Sequence, residues 1–206
     1  YKREPSFPIA VACDPAFNFV YEANIRYLHH LGEVTYFSPL ADTSLPDAGF
    51  VYLPGGYPEL YLAALSANRQ MLQSIRRYVE SGGKLLAECG GMMYLCDEIR
   101  DKNGDVYPMA GVLHQSATME NMKLRLGYRT LLYNETRLKG HEFHYSRLVE
   151  QQNPLPSCAV AYTAKGVETD TPLYHYKNVW AGYTHLYWAD PVGNEWFTKF
   201  VIDGNT

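Results

Sequence analysis

Short apolar runs and longer stretches with apolar side chains at helical spacing alternate through the first hundred residues. The apolar runs at residues 8–12, 34–37 and 50–53 predict buried strands. Helical spacing predicts helices at residues 17–31 and 68–80, each followed closely by glycine. Because the two kinds of element alternate, the pattern predicts an α/β fold with a central, mostly parallel sheet and helices on both faces.

After Cys96 the sequence becomes richer in aromatic and β-branched residues. Residues 102–105 have the composition of a hairpin turn. Further segments with the composition of strands are residues 124–133, 159–163 and 179–188. We expect these strands to be antiparallel additions to the central sheet, and we expect residues 194–202 to form a closing helix.

An apolar strand predicted at residues 84–88 leads directly into Cys89, Gly90 and Gly91. A sharp turn from a strand into a helix presents a nucleophilic side chain at the end of a sheet strand. At the start of a helix, unpaired amides and the macrodipole lower the pKa of a thiol, so we expect a low pKa for Cys89. The pattern therefore predicts a cysteine nucleophile, and a small buried core residue is the alternative interpretation.

Gly55 and Gly56 follow the strand predicted at residues 50–53, and Gly90 follows the next predicted strand. The carboxyl ends of neighbouring parallel strands meet at one edge of a sheet, where sites form. An oxyanion formed at Cys89 would need preorganised donors, and we expect the backbone amides of Gly56 and Gly90 to supply them. For Gly55 and Gly56, turn formation alone is the alternative interpretation.

His185 is the best candidate for the base that a cysteine nucleophile needs. It follows the apolar segment at residues 179–184, whose carboxyl end lies on the side of Cys89 if that segment is a parallel strand. His141 and His144 lie three positions apart, and on a strand they would point to opposite faces, which does not suit zinc. We therefore expect a catalytic base at His185 and no metal site.

The composition limits the classes of function. The chain has 206 residues, 47% of them hydrophobic, which suits one substantial core and is short for two full domains. A net charge of −4 without a basic stripe gives no support for nucleic-acid binding, and no apolar run is long enough for a membrane span. The four cysteines lack CxxC spacing, which argues against a disulfide framework. We therefore expect a cytoplasmic location and no partnership with nucleic acid or membrane.

Residues 1–8 are largely polar, contain Pro5 and Pro8, and lack an initiator methionine. We interpret them as a linker from a preceding domain, and residues 9–206 as one domain. A processed or tag-cleaved N terminus would have the same appearance.

Several motifs, ordered along the chain, are shared with a known family. They occupy residues 13–19, 52–60, 87–95, 126–129, 140–146 and 183–187. On these motifs the chain resembles the glutamine amidotransferase domains of the cobyrinic acid a,c-diamide synthase family, which are class I, triad-type amidotransferases of the cobalamin pathway. The resemblance implies a flavodoxin-like class I glutamine amidotransferase fold.

The resemblance also implies a glutaminase, in which Cys89 forms a thioester with glutamine, ammonia leaves, and His185 transfers the protons. It further implies that His144, Tyr145 and Ser146 form a wall that helps to hold glutamine. A structural hairpin with polar surface groups is the alternative interpretation of this segment.

The position of the expected triad acid is unusual in this sequence. Triad amidotransferases usually carry an acid two residues after the histidine, but Tyr187 occupies that position here. We therefore expect a dyad of Cys89 and His185 rather than a triad. An acid such as Glu88 or Glu142 would orient the imidazole, and the sequence leaves open which acid does so.

The family implies partners outside this chain. An N-terminal synthetase domain would bind ATP and magnesium and would activate carboxylates of a corrinoid acceptor for amidation. The present sequence has no Walker A pattern. We therefore expect no cofactor in this domain, and we assign ATP and magnesium to the missing synthetase domain.

Other functions remain open from the sequence alone. The ammonia could serve another acceptor, such as a different tetrapyrrole or a cell-wall precursor. Small hydrolases and redox proteins also place a cysteine at a strand-to-helix turn without using glutamine. A non-enzymatic interpretation is an interaction module that depends on the synthetase surface.

Overall fold

The computed structural model describes residues 7–204, so most of the linker expected at residues 1–8 lies outside the described residues. Its strands are β1 (Pro8–Ala12), β2 (Glu33–Phe37), β3 (Phe50–Leu53), β4 (Lys84–Glu88), β5 (Glu98–Arg100), β6 (Val106–Pro108), β7 (Ser116–Thr118), β8 (Arg125–Tyr133), β9 (Thr136–His144), β10 (Arg147–Leu148), β11 (Val160–Thr163), β12 (Glu168–Thr169), β13 (Leu173–Tyr176), β14 (Val179–Gly182) and β15 (His185–Leu186). Its α-helices are α1 (Glu22–Leu31), α2 (Leu62–Ala67), α3 (Arg69–Glu80), α4 (Gly90–Leu95) and α5 (Pro191–Trp196). A 3-10 turn spans Pro58–Leu60, and π-helical turns at Phe197–Ile202 continue α5.

A six-stranded sheet forms the centre of the molecule, in the order β13-β14-β4-β3-β1-β2. Strands β14, β4, β3, β1 and β2 are parallel, and β13 is antiparallel to β14. This order confirms the predicted, mostly parallel α/β sheet. Because β3, β4 and β14 are adjacent and parallel, the loops that follow them leave the sheet at one edge.

Alternate side chains of the central strands enter two different cores. In β3, Val51 and Leu53 belong to one buried cluster, whereas Phe50 and Tyr52 belong to the other. Helices α2, α3 and α4 contribute side chains to the first cluster, and helices α1 and α5 contribute to the second. The helices therefore cover both faces of the sheet, as predicted.

The first helix begins later than predicted, at Glu22. The carboxylate of Asp14 accepts a hydrogen bond from the N–H of Phe17 at 3.2 Å, and the carbonyl of Gly55 accepts one from the N–H of Phe19 at 3.0 Å. These bonds stabilise a loop in place of a first helical turn. The prediction of a helix from residue 17 is therefore wrong, and the loop lies against the end of β3 instead.

Two other helices show how capping sets their first residues. The side chain of Asn68 accepts a hydrogen bond from the N–H of Met71 at 3.4 Å, which starts α3 where the sequence predicts. The side chain of Asp190 accepts one from the N–H of Gly193 at 2.7 Å, and Pro191 is the first helical residue. Helix α5 therefore begins earlier than the closing helix that we expected.

Most of the later strands form two further sheets instead of extending the central one. Of the segments predicted to add antiparallel strands, only residues 179–188 contribute a strand to the central sheet, and that strand, β14, is parallel to β4. The antiparallel addition is β13, which lies outside the predicted segments. Strands β10, β7, β5 and β6 form one sheet, and β12, β11, β8, β9 and β15 form the other. The edge beside β14 is occupied by β13, so the long hairpin of β8 and β9 pairs elsewhere. Its partner is β15, in which His185 pairs with His141 of β9. The second sheet therefore reaches the edge of the central sheet that carries the candidate site.

Candidate active site

Cys89 lies at the turn between β4 and α4, as the sequence predicts. Its backbone has φ 50° and ψ −109°, and positive φ is uncommon for a residue other than glycine. Such conformations cost about 1–3 kcal/mol and are concentrated at functional sites. The N–H of Cys89 donates a hydrogen bond to the carbonyl of Gly182 at 2.7 Å, which ties the end of β4 to the end of β14. The strained turn is therefore held in place by its neighbours.

Gly55 lies against His185, and Gly56 lies against the turn that carries Cys89. A Cβ on Gly55 would lie 2.2 Å from Cε1 of His185, so only glycine allows this close approach. The backbone nitrogen of Gly56 would lie 3.2 Å from a Cβ on Gly90, the residue after Cys89. The fold thus brings the predicted nucleophile, glycine pair and base together at the ends of β3, β4 and β14.

The Cys89 thiol is buried, with 4% of the residue exposed. Its S–H donates to the carbonyl of Phe143, with Sγ 3.6 Å from the oxygen. Burial raises the pKa of Cys89 well above its usual range, and the negative charge of Glu59 adds to this rise. The expectation of a lowered pKa is therefore wrong, because burial outweighs the effect of a helix as short as α4. The thiol is neutral in this structure.

His185 is buried to a similar degree, with 3% exposed. The ring of Phe19 packs against its imidazole, with the ring centroids 4.3 Å apart. Burial lowers the pKa of His185 to about 3, and the charges of His141 and His144 also lower it. The imidazole is therefore neutral and able to accept a proton. Its buried Nδ1 has no hydrogen-bond partner among residues 7–204, so no carboxylate in this part of the chain bonds that atom.

Glu88 is one of the two acids expected to orient the imidazole. Its hydrogen bonds instead hold the residues that follow His185 in the chain. Its carboxylate accepts hydrogen bonds from the hydroxyl of Tyr52 at 2.7 Å, the N–H of Leu186 at 3.1 Å and Nε1–H of Trp188 at 3.3 Å. Burial raises the pKa of Glu88 to about 7, although these three donors oppose the rise. Glu88 thus fixes the residue after His185 without contacting the imidazole ring.

Glu142, the other candidate acid, belongs to a buried polar network. Its carboxylate accepts hydrogen bonds from Nε of Arg129 at 2.5 Å, Oγ1 of Thr171 at 2.8 Å and Nε2 of His144 at 2.7 Å. Burial alone would raise the pKa of Glu142, but the bonds from His144 and Thr171 and the nearby positive charges lower it to about 2. Glu142 is therefore ionised and committed to this network.

The side chains of His144 and Ser146 are buried and already hydrogen-bonded within the protein. The ring of His144 stacks on Tyr183 at 3.6 Å between centroids, and its Nδ1 bonds the carbonyl of Ser146 at 2.7 Å. Both ring nitrogens of His144 therefore have hydrogen-bond partners, the carbonyl of Ser146 and the carboxylate of Glu142. The hydroxyl of Ser146 bonds Tyr183 at 3.0 Å. Of the expected wall, only Tyr145 is exposed, at 39%.

Glu59 has no role among the residues predicted from the sequence, although it lies in the motif at residues 52–60. Its Oε2 is buried and has no hydrogen-bond partner within the described part of the chain. Two further residues were not predicted from the sequence: Arg129, which pairs with Glu142, and Phe19, which covers His185. The only available signal was the presence of Glu59, Arg129 and Phe19 in the family motifs, because their contacts come from distant segments.

Residues 7–204 contain no group of three or more His, Cys, Asp or Glu side chains that could hold a metal ion. Within the same residues, no helix combines the length and the apolar character that crossing a membrane requires.

Comparison with known proteins identifies relatives of the chain. Residues 8–192 match the family described as the CobB/CobQ-like glutamine amidotransferase domain. Hydrogenobyrinate a,c-diamide synthase of Pseudomonas aeruginosa is 40% identical over 185 residues, which cover 87% of this chain and 41% of that protein. Cobyrinate a,c-diamide synthase of Clostridium acetobutylicum is 38% identical over 210 residues, which cover 97% of this chain and 46% of that protein. The chain thus spans less than half the length of these relatives.

A solved glutamine amidotransferase from Thermotoga maritima has a similar fold. It superposes with a TM-score of 0.56 at 12% identity, covering 94% of this chain and 82% of that chain. Together with the central sheet, this likeness confirms the expected class I glutamine amidotransferase fold. The family match and the identity to the two synthases together show that the chain belongs to the family of CobB/CobQ-like glutamine amidotransferase domains.

Proposed function

We propose that this chain hydrolyses glutamine through a thioester on Cys89 and releases ammonia. The observation that carries the proposal is the strained turn at Cys89, which has φ 50° and lies beside the loop that contacts His185. A buried thiol held in a conformation that its own residue disfavours is expected of a nucleophile and not of a core residue.

The first half of the reaction starts from a neutral thiol and a neutral imidazole. His185 takes the proton from Cys89 as Sγ attacks the carboxamide carbon, and the carbonyl oxygen becomes an oxyanion. The N–H groups of Gly56 and Gly90 donate hydrogen bonds to that oxyanion, and such a donor is worth about 3 kcal/mol. The imidazolium then protonates the nitrogen, the C–N bond breaks, and ammonia leaves a γ-glutamyl thioester.

Water completes the cycle. His185 takes a proton from water as the oxygen attacks the thioester, and the second oxyanion uses the same backbone donors. The C–S bond breaks, the thiolate takes the proton back from His185, and glutamate leaves. Proton transfer through a neutral pair needs no stable thiolate beforehand, which suits a site where burial disfavours charge.

The segment at residues 144–146 supports glutamine indirectly. Because the polar side-chain atoms of His144 and Ser146 already have partners, its contribution to glutamine binding would come from backbone groups and the exposed ring of Tyr145. The stacking of His144 on Tyr183 and its two hydrogen bonds keep this segment in one conformation.

The activity of the whole protein is a wider proposal, since the chain spans 41% of the Pseudomonas aeruginosa relative. We propose that residues 1–8 lead from an N-terminal synthetase domain, and that residues 9–206 supply it with ammonia. That domain would use ATP and magnesium to amidate carboxylates of cobyrinate or a similar corrinoid acceptor in the cytoplasm. Another tetrapyrrole or a cell-wall precursor as acceptor is the alternative.

The glutaminase proposal is tested with 6-diazo-5-oxonorleucine, a reactive glutamine analogue. Peptide mass spectrometry should find the adduct on Cys89, and free glutamine should slow its formation. The exposed Cys13 is the internal control, because it should react without glutamine protection. Equal labelling of Cys13 and Cys89, unaffected by glutamine, would favour a protein that does not use glutamine.

A further inference from the structure

Glu59 is a titratable residue beside the candidate site that the reaction described above does not use. It lies in the 3-10 turn Pro58–Leu60, which follows Gly55 and Gly56 in the chain. Pro58 packs against the nucleophile turn, since a Cβ on Gly90 would lie 2.7 Å from Cδ of Pro58. Glu59 therefore directly follows, in the chain, a residue that packs against the turn at Cys89.

One oxygen of the Glu59 carboxylate lacks a hydrogen-bond donor. Its Oε2 is buried and unpartnered among residues 7–204. Burial raises the pKa of Glu59, while its own backbone N–H and the positive charge of His144 lower it. A buried polar group without a partner costs free energy, and a charged group costs more. A ligand that brings a cationic donor to Oε2 would remove this cost.

The charge of Glu59 also acts on the nucleophile. After burial itself, the carboxylate of Glu59 is the strongest influence that raises the pKa of Cys89. An opposite charge bound to Glu59 would cancel this repulsion and favour loss of the thiol proton. The position of Glu59 therefore couples whatever it binds to the reactivity of Cys89.

We propose that Glu59 binds the α-ammonium group of glutamine, and that this ion pair both selects the substrate and releases Cys89 from an opposing charge. The inference rests on the proposed glutaminase function. Glutamine suits the site because a short saturated chain separates its cation from the carboxamide that Cys89 attacks. Its α-carboxylate would be repelled by Glu59, which fixes the orientation of the amino-acid end.

The experiment compares glutamine with glutaramate, which has the same carboxamide chain without the α-amino group. Wild-type protein should prefer glutamine in kcat/KM by about 10- to 100-fold, because glutaramate leaves Glu59 unpaired. Glu59→Gln should lose most of this preference through a fall in kcat/KM for glutamine, with little change for glutaramate. Glu135→Gln, at an exposed position in the turn between β8 and β9, is the matched control and should behave as wild type.

The ratio of kcat/KM for glutamine to kcat/KM for glutaramate, and not the activity alone, tests the role of Glu59. If Glu59→Gln lowers kcat/KM equally for both compounds, or keeps the wild-type preference, the proposal for Glu59 is overturned. Glu59→Ala is measured by the same criterion, and circular dichroism identifies which variant is folded. Absence of glutamine hydrolysis by the wild-type protein would instead contradict the proposed function itself.

Discussion

At the scale of single residues, burial keeps the proposed nucleophile and the proposed base neutral. Cys89 and His185 are 4% and 3% exposed, and burial shifts the pKa of each toward its uncharged form. Charge separation between them is therefore unfavourable until a substrate supplies an oxyanion and new hydrogen bonds. Burial covers the thiol against reagents, and in the proposed reaction its activation waits until glutamine is bound.

This protection has a measurable consequence for alkylation by iodoacetamide. At neutral pH the exposed Cys13 should react well before Cys89, because burial keeps the Cys89 thiol protonated and covered. Labelling of Cys89 should accelerate as the pH rises into the alkaline range. Peptide mass spectrometry at a series of times measures both rates, and Cys13→Ser is the control that should leave the rate at Cys89 unchanged. Faster labelling of Cys89 than of Cys13 at pH 7 would contradict a neutral thiol.

The sequence predicted the positions of these residues better than their protonation. The apolar strand and glycines around Cys89 indicate a turn from local pattern alone. The raised pKa of Cys89 depends on burial by distant segments, including Phe143 of β9, which no local pattern reveals. The carboxylate of Glu59 beside the thiol has the same origin, because chain folding brings it there.

At the scale of elements, Glu88 joins the end of β4 to β15. Its carboxylate accepts hydrogen bonds from the N–H of Leu186 and Nε1–H of Trp188. These bonds hold β15, the strand that carries His185, against the end of β4. The register between β14 and β4 places Gly182 beside Glu88, which brings the two strand ends together. Glu88 therefore positions the backbone that follows His185, the proposed base.

The buried position of Glu88 should make stability depend on pH. Its pKa rises from 4.5 to about 7 in the folded state, so the folded protein retains a proton that the unfolded chain releases. This contribution is complete below pH 4.5 and is lost as the pH rises through 7, to a total of about 3 kcal/mol. Urea denaturation of wild type and Glu88→Gln at pH 4.5 and pH 8 should show the difference between them changing by this amount. A difference independent of pH would contradict the raised pKa.

Element boundaries were predictable where caps are local and not where loops are pinned by distant groups. Asn68 starts α3 through its own side chain, and the sequence predicted that helix correctly. Residues 17–21 have apolar spacing suited to a helix, but the carbonyl of Gly55 binds the N–H of Phe19 and holds a loop. A contact between distant segments also explains why β8 and β9 form a separate sheet. Strand β13 pairs with β14 and so occupies that edge of the central sheet.

At the scale of the whole molecule, the network around Glu142 holds the second sheet against the central one. Arg129 lies on β8, Glu142 and His144 lie on β9, and Thr171 lies just before β13 of the central sheet. Arg129 and Glu142 have side chains only 8% and 1% exposed. Removing one partner of such a buried pair destabilises the fold, because the other charge remains buried without a partner.

Arg129→Met should therefore destabilise the fold by about 3 kcal/mol, because it leaves Glu142 without its guanidinium partner. Chemical denaturation measures the change in the free energy of unfolding. The double variant Arg129→Met, Glu142→Gln should recover part of the loss, since no unpaired carboxylate remains. An exposed pair, Arg26 and Glu22 of α1, supplies the control Arg26→Met, for which a change of less than about 1 kcal/mol is expected. A small effect of Arg129→Met would contradict the role given to the network.

The central claim is that Cys89 carries the glutamyl group during turnover. Protein quenched in acid during glutamine hydrolysis should show a γ-glutamyl adduct by mass spectrometry, on the peptide that contains Cys89. The adduct should disappear when glutamine is exhausted and should be absent from Cys89→Ala. Glutamine hydrolysis that persists in Cys89→Ala, or an adduct on another residue, would contradict the account.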